Sequence, residues 1–135
     1  MYHSTLHEEM AELTERYIEK LNETISRYPE INYSLDEIQK EITEINQIFR
    51  YLSKKWSFEI IALLYMRVLK FNDLKDLLGG ISSRTLTDRL RMLETAGILV
   101  RNIVNEAPVK IQYSLSEKGK QIAISCYPFI YQSKI

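Results

Sequence analysis

A chain of 135 residues with zero formal net charge, 45% hydrophobic and 27% charged, has the composition of a globular protein rather than a disordered or fibrous one. No apolar run approaches the ~20 residues of a membrane-spanning helix, which excludes a membrane partner of that kind. The single cysteine, Cys126, excludes a disulfide scaffold and fits a reducing, cytoplasmic setting.

The opening residues, Met1-Tyr2-His3-Ser4-Thr5-Leu6, lack a basic head followed by an apolar stretch and do not read as a secretory signal. Over residues 5–27, Leu6, Met10, Leu13, Tyr17, Leu21 and Thr24 or Ile25 recur at spacings of three and four, the mark of one helical face. Pro29 stops this helix, because proline lacks an N–H and restricts the residue before it. A second helix is predicted from Ser34, with Ser34 and Glu37 as a capping box. Its stripe is Leu35, Ile38, Ile42, Ile45, Phe49 and Leu52, widened by Ile48. Two such helices with a short connection suggest an antiparallel pair. Neither can bury its stripe alone. The stripes must pack on each other, on the following domain or on a second copy of the chain.

Residues 53–66 read as a third helix, apolar on most sides and so central to a core. Residues 67–70 are a short extended piece. Asn72 caps a brief helix over 73–78, closed by Gly79-Gly80. Ser82 or Ser83 caps the next helix, which runs to Ala96 and ends at Gly97. Residues 98–104 and 109–115 alternate like strands about the turn Asn105-Glu106-Ala107-Pro108, giving a hairpin. A last helix starts near Ser116 and extends toward Pro128 or beyond.

Charge is segregated along these elements. Residues 1–52 hold 5 Lys and Arg against 11 Asp and Glu, net −6; residues 53–121 hold 12 against 7, net +5. Such asymmetry hints at a polyanion-binding domain joined to a segment with another role. The order helix, short strand, helix, helix, hairpin, helix is that of a winged helix-turn-helix, whose third helix enters the major groove while the hairpin lies along the backbone. The expected fold class is mainly α with a small β-hairpin wing (α+β), preceded by two amphipathic helices.

On that third helix Leu86, Leu90 and Leu93 form the core stripe. At ~100° per residue the opposite face carries Arg84, Asp88, Arg91 and Thr95. Thr85 and Thr87 lie on the flanks, and Ser82 and Ser83 lead the helix. Arginine can contact guanine with two bonds, and serine or threonine can bond bases or phosphates. Free N–H groups at the helix start suit a phosphate. The alternative is a solvated face with local ion pairs, Arg84 to Asp88 and Asp88 to Arg91. The helix-turn-helix context favours DNA. On the wing, Arg101 and Lys110 are the candidate phosphate contacts, and Glu106 at the tip would repel phosphate unless it points away.

These residues also carry a resemblance. Lys55-Trp56 before the apolar helix, Phe71-Asn72-Asp73-Leu74, the run from Gly80-Ile81-Ser82-Ser83-Arg84 to Arg89-Leu90, Leu93-Glu94, Gly97-Ile98, Arg101, Pro108 and Tyr113-Ser114-Leu115-Ser116-Glu117-Lys118-Gly119 fall in sequence. Over about residues 50–122 the chain resembles the HxlR-type winged-helix transcription regulators, relatives of the MarR group. The resemblance implies a homodimer on a roughly palindromic operator, with dimer contacts outside the winged core. It makes Trp56 and Phe71 structural anchors and Glu94 a scaffold residue. Many members carry a cysteine shortly before the Lys-Trp pair, and some sense oxidants with it. The matching stretch, Asn46-Gln47-Ile48-Phe49-Arg50-Tyr51-Leu52-Ser53, has none, and Cys126 reads as a small buried hydrophobe.

Chemistry of other kinds is missing. His3 and His7 have helical spacing, but no further histidine or cysteine is placed to complete a zinc site. No phosphate-cradling glycine loop is present, and the carboxylates of residues 8–44 lie at helix-surface spacing. The reading is a non-enzyme without cofactors. Residues 1–52 form an acidic helical pair for dimerisation, 53–121 the DNA-binding winged helix and 122–135 a C-terminal helix extension. Its partners are double-stranded DNA and a second copy of itself. A small-molecule effector is compatible with this, although nothing in the sequence names one. The alternative is a winged helix used for protein–protein interaction without sequence-specific DNA binding.

Overall fold

In the computed structural model the backbone is described for residues 2–133 and the side chains for residues 5–133, so the side chain of His3 and all of Lys134 lie outside the described residues. The three-four periodicities become helices α1 (Tyr2–Ser26) and α2 (Leu35–Leu52). The winged region follows as α3 (Ser57–Met66), β1 (Leu69–Lys70), α4 (Phe71–Leu78), α5 (Ser83–Thr95), β2 (Leu99–Val104) and β3 (Lys110–Leu115), then α6 (Glu117–Ser125) and α7 (Tyr127–Ser133). The chain divides into two compact units, one running from Glu41 to Ser125 and the other combining the residues up to Lys40 with those from Cys126 onward. Among the described residues no helix is long and apolar enough to cross a membrane.

In the Glu41–Ser125 unit the expected mainly α fold with a β-hairpin wing is present. Ile60, Ile61 and Leu64 of α3, Leu74 and Leu78 of α4, and Leu86, Leu90 and Leu93 of α5 meet Ile98, Leu99 and Leu115 in one core. Each such side chain, fully buried, contributes about 1.5–3 kcal/mol. The hairpin is extended by β1 into a three-stranded antiparallel sheet of order β1-β3-β2. Leu69 faces Tyr113 from one side, and Arg101 faces it from the other. Along β2 only Leu99 is buried, because the hairpin projects from the core beyond that residue.

A buried glycine joins wing to helix. The Ile98 carbonyl accepts from the Ser116 N–H at 3.0 Å, and the Ser116 hydroxyl proton is shared between the Gly97 carbonyl at 2.5 Å and the Ile98 carbonyl at 3.0 Å. Ser116 Oγ in turn accepts from the Gly119 N–H at 3.0 Å, capping α6. Gly119 lies so near the Ile98 carbonyl that a Cβ there would overlap it. Lys118 Nζ donates to the Ala96 carbonyl at 3.1 Å. The Ser-Glu-Lys-Gly run is therefore a clasp that holds the end of α5 and the start of β2 against α6.

Three of the boundary differences from the sequence reading have a clear cause. Helix α3 begins four residues later than expected, because Trp56 takes a left-handed conformation at φ 80°, which no continuous helix tolerates. Helix α4 is flanked by Lys70 rather than capped by Asn72; the Asp73 carboxylate accepts from the Lys70 N–H at 3.2 Å as β1 passes directly into the helix. The last helix is two, broken at Cys126. Pro128 has no N–H to offer the Ile124 carbonyl four residues back, and its ring would collide with it. In the first turn of α7 the same proline is tolerated.

Ser34 does cap α2, accepting from the Glu37 N–H at 3.2 Å. Most stripe residues of the first two helices are exposed, whereas Leu52 at the end of α2 joins the core. Leu6, Leu13, Tyr17, Leu21 and Ile25 of α1 are exposed, and so is every residue of α2 from Leu35 to Arg50. Helix α1 packs against α7.

Candidate nucleic-acid interface

Helix α5 is fixed at its start by Ser82. The Ser82 hydroxyl accepts from the Thr85 N–H at 3.0 Å and donates to Thr85 Oγ1 at 2.9 Å. Burial of Leu86, Leu90 and Leu93 turns the opposite face outward, and Ser83, Arg84, Asp88 and Arg91 are exposed there. Neither Arg84–Asp88 nor Asp88–Arg91 closes to an ion pair within 4.0 Å; among the described residues only Lys20–Glu23 and Lys110–Glu106 do. The local pairing weighed as an alternative is absent, so the face keeps its hydrogen-bonding capacity.

The flanks differ in chemistry. Thr87 is half-buried, and its hydroxyl donates to the Ser83 carbonyl at 2.8 Å. Its proton is committed, so Thr87 can offer a ligand only acceptor lone pairs. Thr87, Arg91 and Arg101 line one open groove with Phe71, Leu90 and Tyr113. Three residues from distant parts of the sequence reading thus meet where α5 faces the sheet. Lys110 stands apart at the tip end of the wing, paired with Val104 where the turn begins. Its ammonium lies 3.5 Å from the Glu106 carboxylate, so the charge at the tip is internally balanced.

The opposite flank of α5 carries residues that sequence reasoning did not assign. Arg89 Nε donates to the Lys55 carbonyl at 2.8 Å, tying the helix to the turn where Trp56 is left-handed. Asp88, Arg89 and Met92 share an open depression with Arg50, Tyr51 and Lys54. The Lys55 ammonium sits 5.1 Å from the Trp56 ring centroid, within cation–π range. The signal available in the sequence was the helical i, i+4 spacing of Arg50 and Lys54. Nothing in it showed that this pair would stand beside α5.

The comparisons with known proteins concern the family and the fold. The HxlR-like helix-turn-helix family model matches residues 51–127. The HTH-type transcriptional regulator sll1512 of Synechocystis sp. is 38% identical over 81 residues, 60% of either chain, so the match spans less than two thirds of that relative. The HTH-type transcriptional regulator YvaP of Bacillus subtilis is 39% identical over 72 residues, 53% of this chain and 67% of its own. Among solved structures, the reduced form of the B. subtilis transcriptional regulator YodB aligns with a TM-score of 0.58 at 30% identity, over 67% of this chain and 84% of that one. A putative MarR-family regulator from Enterococcus faecalis V583 aligns at a TM-score of 0.64 over 78% of this chain and 91% of its own, and at 24% identity it speaks for the fold alone. With the family match covering more than half of its length and the winged fold built around α5, the chain belongs to the HxlR-like helix-turn-helix family.

Proposed function

We propose that this protein is a non-enzymatic, cytoplasmic transcription regulator that binds double-stranded DNA sequence-specifically, as a homodimer on a near-palindromic operator. The observation that carries the reading is the α5 face itself: Arg84, Asp88 and Arg91 are exposed, none is ion-paired with another described residue, and Arg91 lines one groove with Arg101. Arg84 and Arg91 are seven residues apart, about 10 Å along the helix axis, or roughly three base-pair rises. They can read separate guanines in one half-site, while Asp88 between them accepts from a cytosine amino group. Thr87 serves as an acceptor.

At the helix start Ser82 is occupied as cap, which leaves the N–H groups of Ser83 and Arg84 for a phosphate. The Thr85 hydroxyl keeps its own proton to donate there. Arg101 contacts backbone beside the groove, and Lys110 does so weakly because of Glu106. The phosphate contacts supply affinity that falls with salt, and the base contacts supply selectivity.

Dimerisation through the region 1–52 is supported by the uncovered stripes of α1 and α2, and Phe129 of α7 adds to them at 77% exposed. Contiguous apolar surface on this scale marks an interface. Light scattering on a chain lacking residues 1–33 tests this, and a dimer that persists unchanged assigns the interface elsewhere. The DNA reading is tested by selecting bound duplexes from random sequence at a stated salt concentration. Recovery of no enriched motif would overturn it.

A further inference from the structure

We infer that the depression beside α5 lined by Arg50, Tyr51 and Lys54 is a second phosphate-binding edge, which grips the DNA strand on the side of the recognition helix away from the wing. The inference rests on the DNA-binding reading above and extends it to residues outside the helix-turn-helix. With its side chains an α-helix is ~10–12 Å across, and the major groove of B-DNA is ~12 Å wide. A helix seated in that groove therefore meets a sugar-phosphate strand along each flank. One flank of α5 is the Thr87–Arg91–Arg101 groove. The other is the depression that Asp88, Arg89 and Met92 share with Arg50, Tyr51 and Lys54.

The charges on this second flank are available. Arg50, Lys54 and Lys55 are exposed, and among the described residues none has a carboxylate within 4.0 Å. Asp88 is the one acidic residue lining the depression, against three cations. The wing differs, since Lys110 is held by Glu106. The edge is also held in register with the reading face. The bond from Arg89 to the Lys55 carbonyl couples the α2–α3 turn to α5, so a phosphate gripped here locates Arg84 and Arg91 over their bases. Tyr51, half-buried, can add a hydroxyl donor.

The test is the double variant R50Q/K54Q, which keeps two polar side chains and removes two charges. It is compared with wild type and with K40Q/K120Q, which removes two exposed charges elsewhere. Each protein is titrated against the selected operator duplex and a scrambled duplex over a range of salt. Two lost phosphate contacts should lower the salt slope by ~1.8 and weaken binding roughly 30-fold at 0.15 M salt, equally on both duplexes. K40Q/K120Q should stay close to wild type. A slope and affinity for R50Q/K54Q that match wild type or K40Q/K120Q would overturn the second edge while leaving the α5 reading intact. Failure of wild type to bind either duplex would overturn both. Circular dichroism melting confirms that each variant is folded, and should R50Q/K54Q unfold, R50K/K54R supplies the comparison: it retains both charges and must retain the slope.

Discussion

Replacing Gly119 by alanine is expected to destabilise the Glu41–Ser125 unit although it raises helix propensity. At an ordinary interior helix position, glycine to alanine stabilises by about 1 kcal/mol. Here the added methyl would overlap the Ile98 carbonyl oxygen and press on Leu115. The oxygen is backbone and cannot swing aside as a side-chain tip could. It must move with the start of β2, and that motion weakens the bond from the Ser116 N–H and the Ser116 hydroxyl bond shared by the Gly97 and Ile98 carbonyls, each worth about 1 kcal/mol net. Overpacking adds about 1–3 kcal/mol. Setting the helix gain against these losses leaves a net destabilisation of about 2–4 kcal/mol. Urea denaturation of the full chain followed by circular dichroism, at one fixed protein concentration, measures it. The midpoint should fall with little change in the slope. An alanine variant as stable as wild type, or more so, would refute the clasp between Ile98, Ser116 and Gly119.

Three further outcomes concern function. Arg84→Ala and Arg91→Ala should each weaken operator binding by about 1–3 kcal/mol and relax selectivity at one base position; unchanged gel-shift affinity in both would remove the α5 face from the interface. Glu106→Gln should release Lys110 and strengthen binding to a scrambled duplex by up to about five-fold at 0.15 M salt, with a salt slope steeper by ~0.9; an unaltered slope would mean that the wing tip stays off the DNA. Burial pushes the Cys126 thiol above its ordinary value. The thiolate therefore forms at higher pH than in free cysteine, and alkylation by iodoacetamide at neutral pH should be slower than for a free cysteine. Diamide should leave DNA affinity unchanged, and a loss of binding that Cys126→Ser abolishes would establish a thiol switch.

Periodicity revealed most of the helices because burial imposes it. Leu86, Leu90 and Leu93 mark the inner face of α5, and once they are placed Arg84, Asp88 and Arg91 must point outward. The same logic fails where a tertiary bond decides. Ser53-Lys54-Lys55-Trp56 looks like the start of a helix, but Trp56 turns left-handed in a turn held from 34 residues away by Arg89. Local pattern also missed that the Thr87 hydroxyl is turned onto its own helix and that Glu106 reaches Lys110 across the wing turn. Both depend on side-chain direction rather than residue type. From Ser116 toward Pro128 the local pattern reads as one helix, because only the rank of Pro128 within a second helix shows whether it ends one helix or begins another. The stripes of α1 and α2 were readable as apolar surfaces, whereas what covers them is not encoded in spacing.

Arg89 and its neighbours divide the labour along α5 in a way that bears on how such a protein can change its target. The Arg89 side chain is committed to the Lys55 carbonyl, and substituting it would loosen the turn that carries Trp56. Among the described residues, no side-chain hydrogen bond or ion pair involves Arg84, Asp88 or Arg91. Substitutions at those three positions can therefore be explored with little effect on stability, since exposed residues without partners typically change it by no more than about 0.5 kcal/mol. On the proposed reading, target preference and foldedness are thus nearly independent variables in this helix. A duplicated copy could drift to a new operator through three codons while the scaffold beneath it stays as it is.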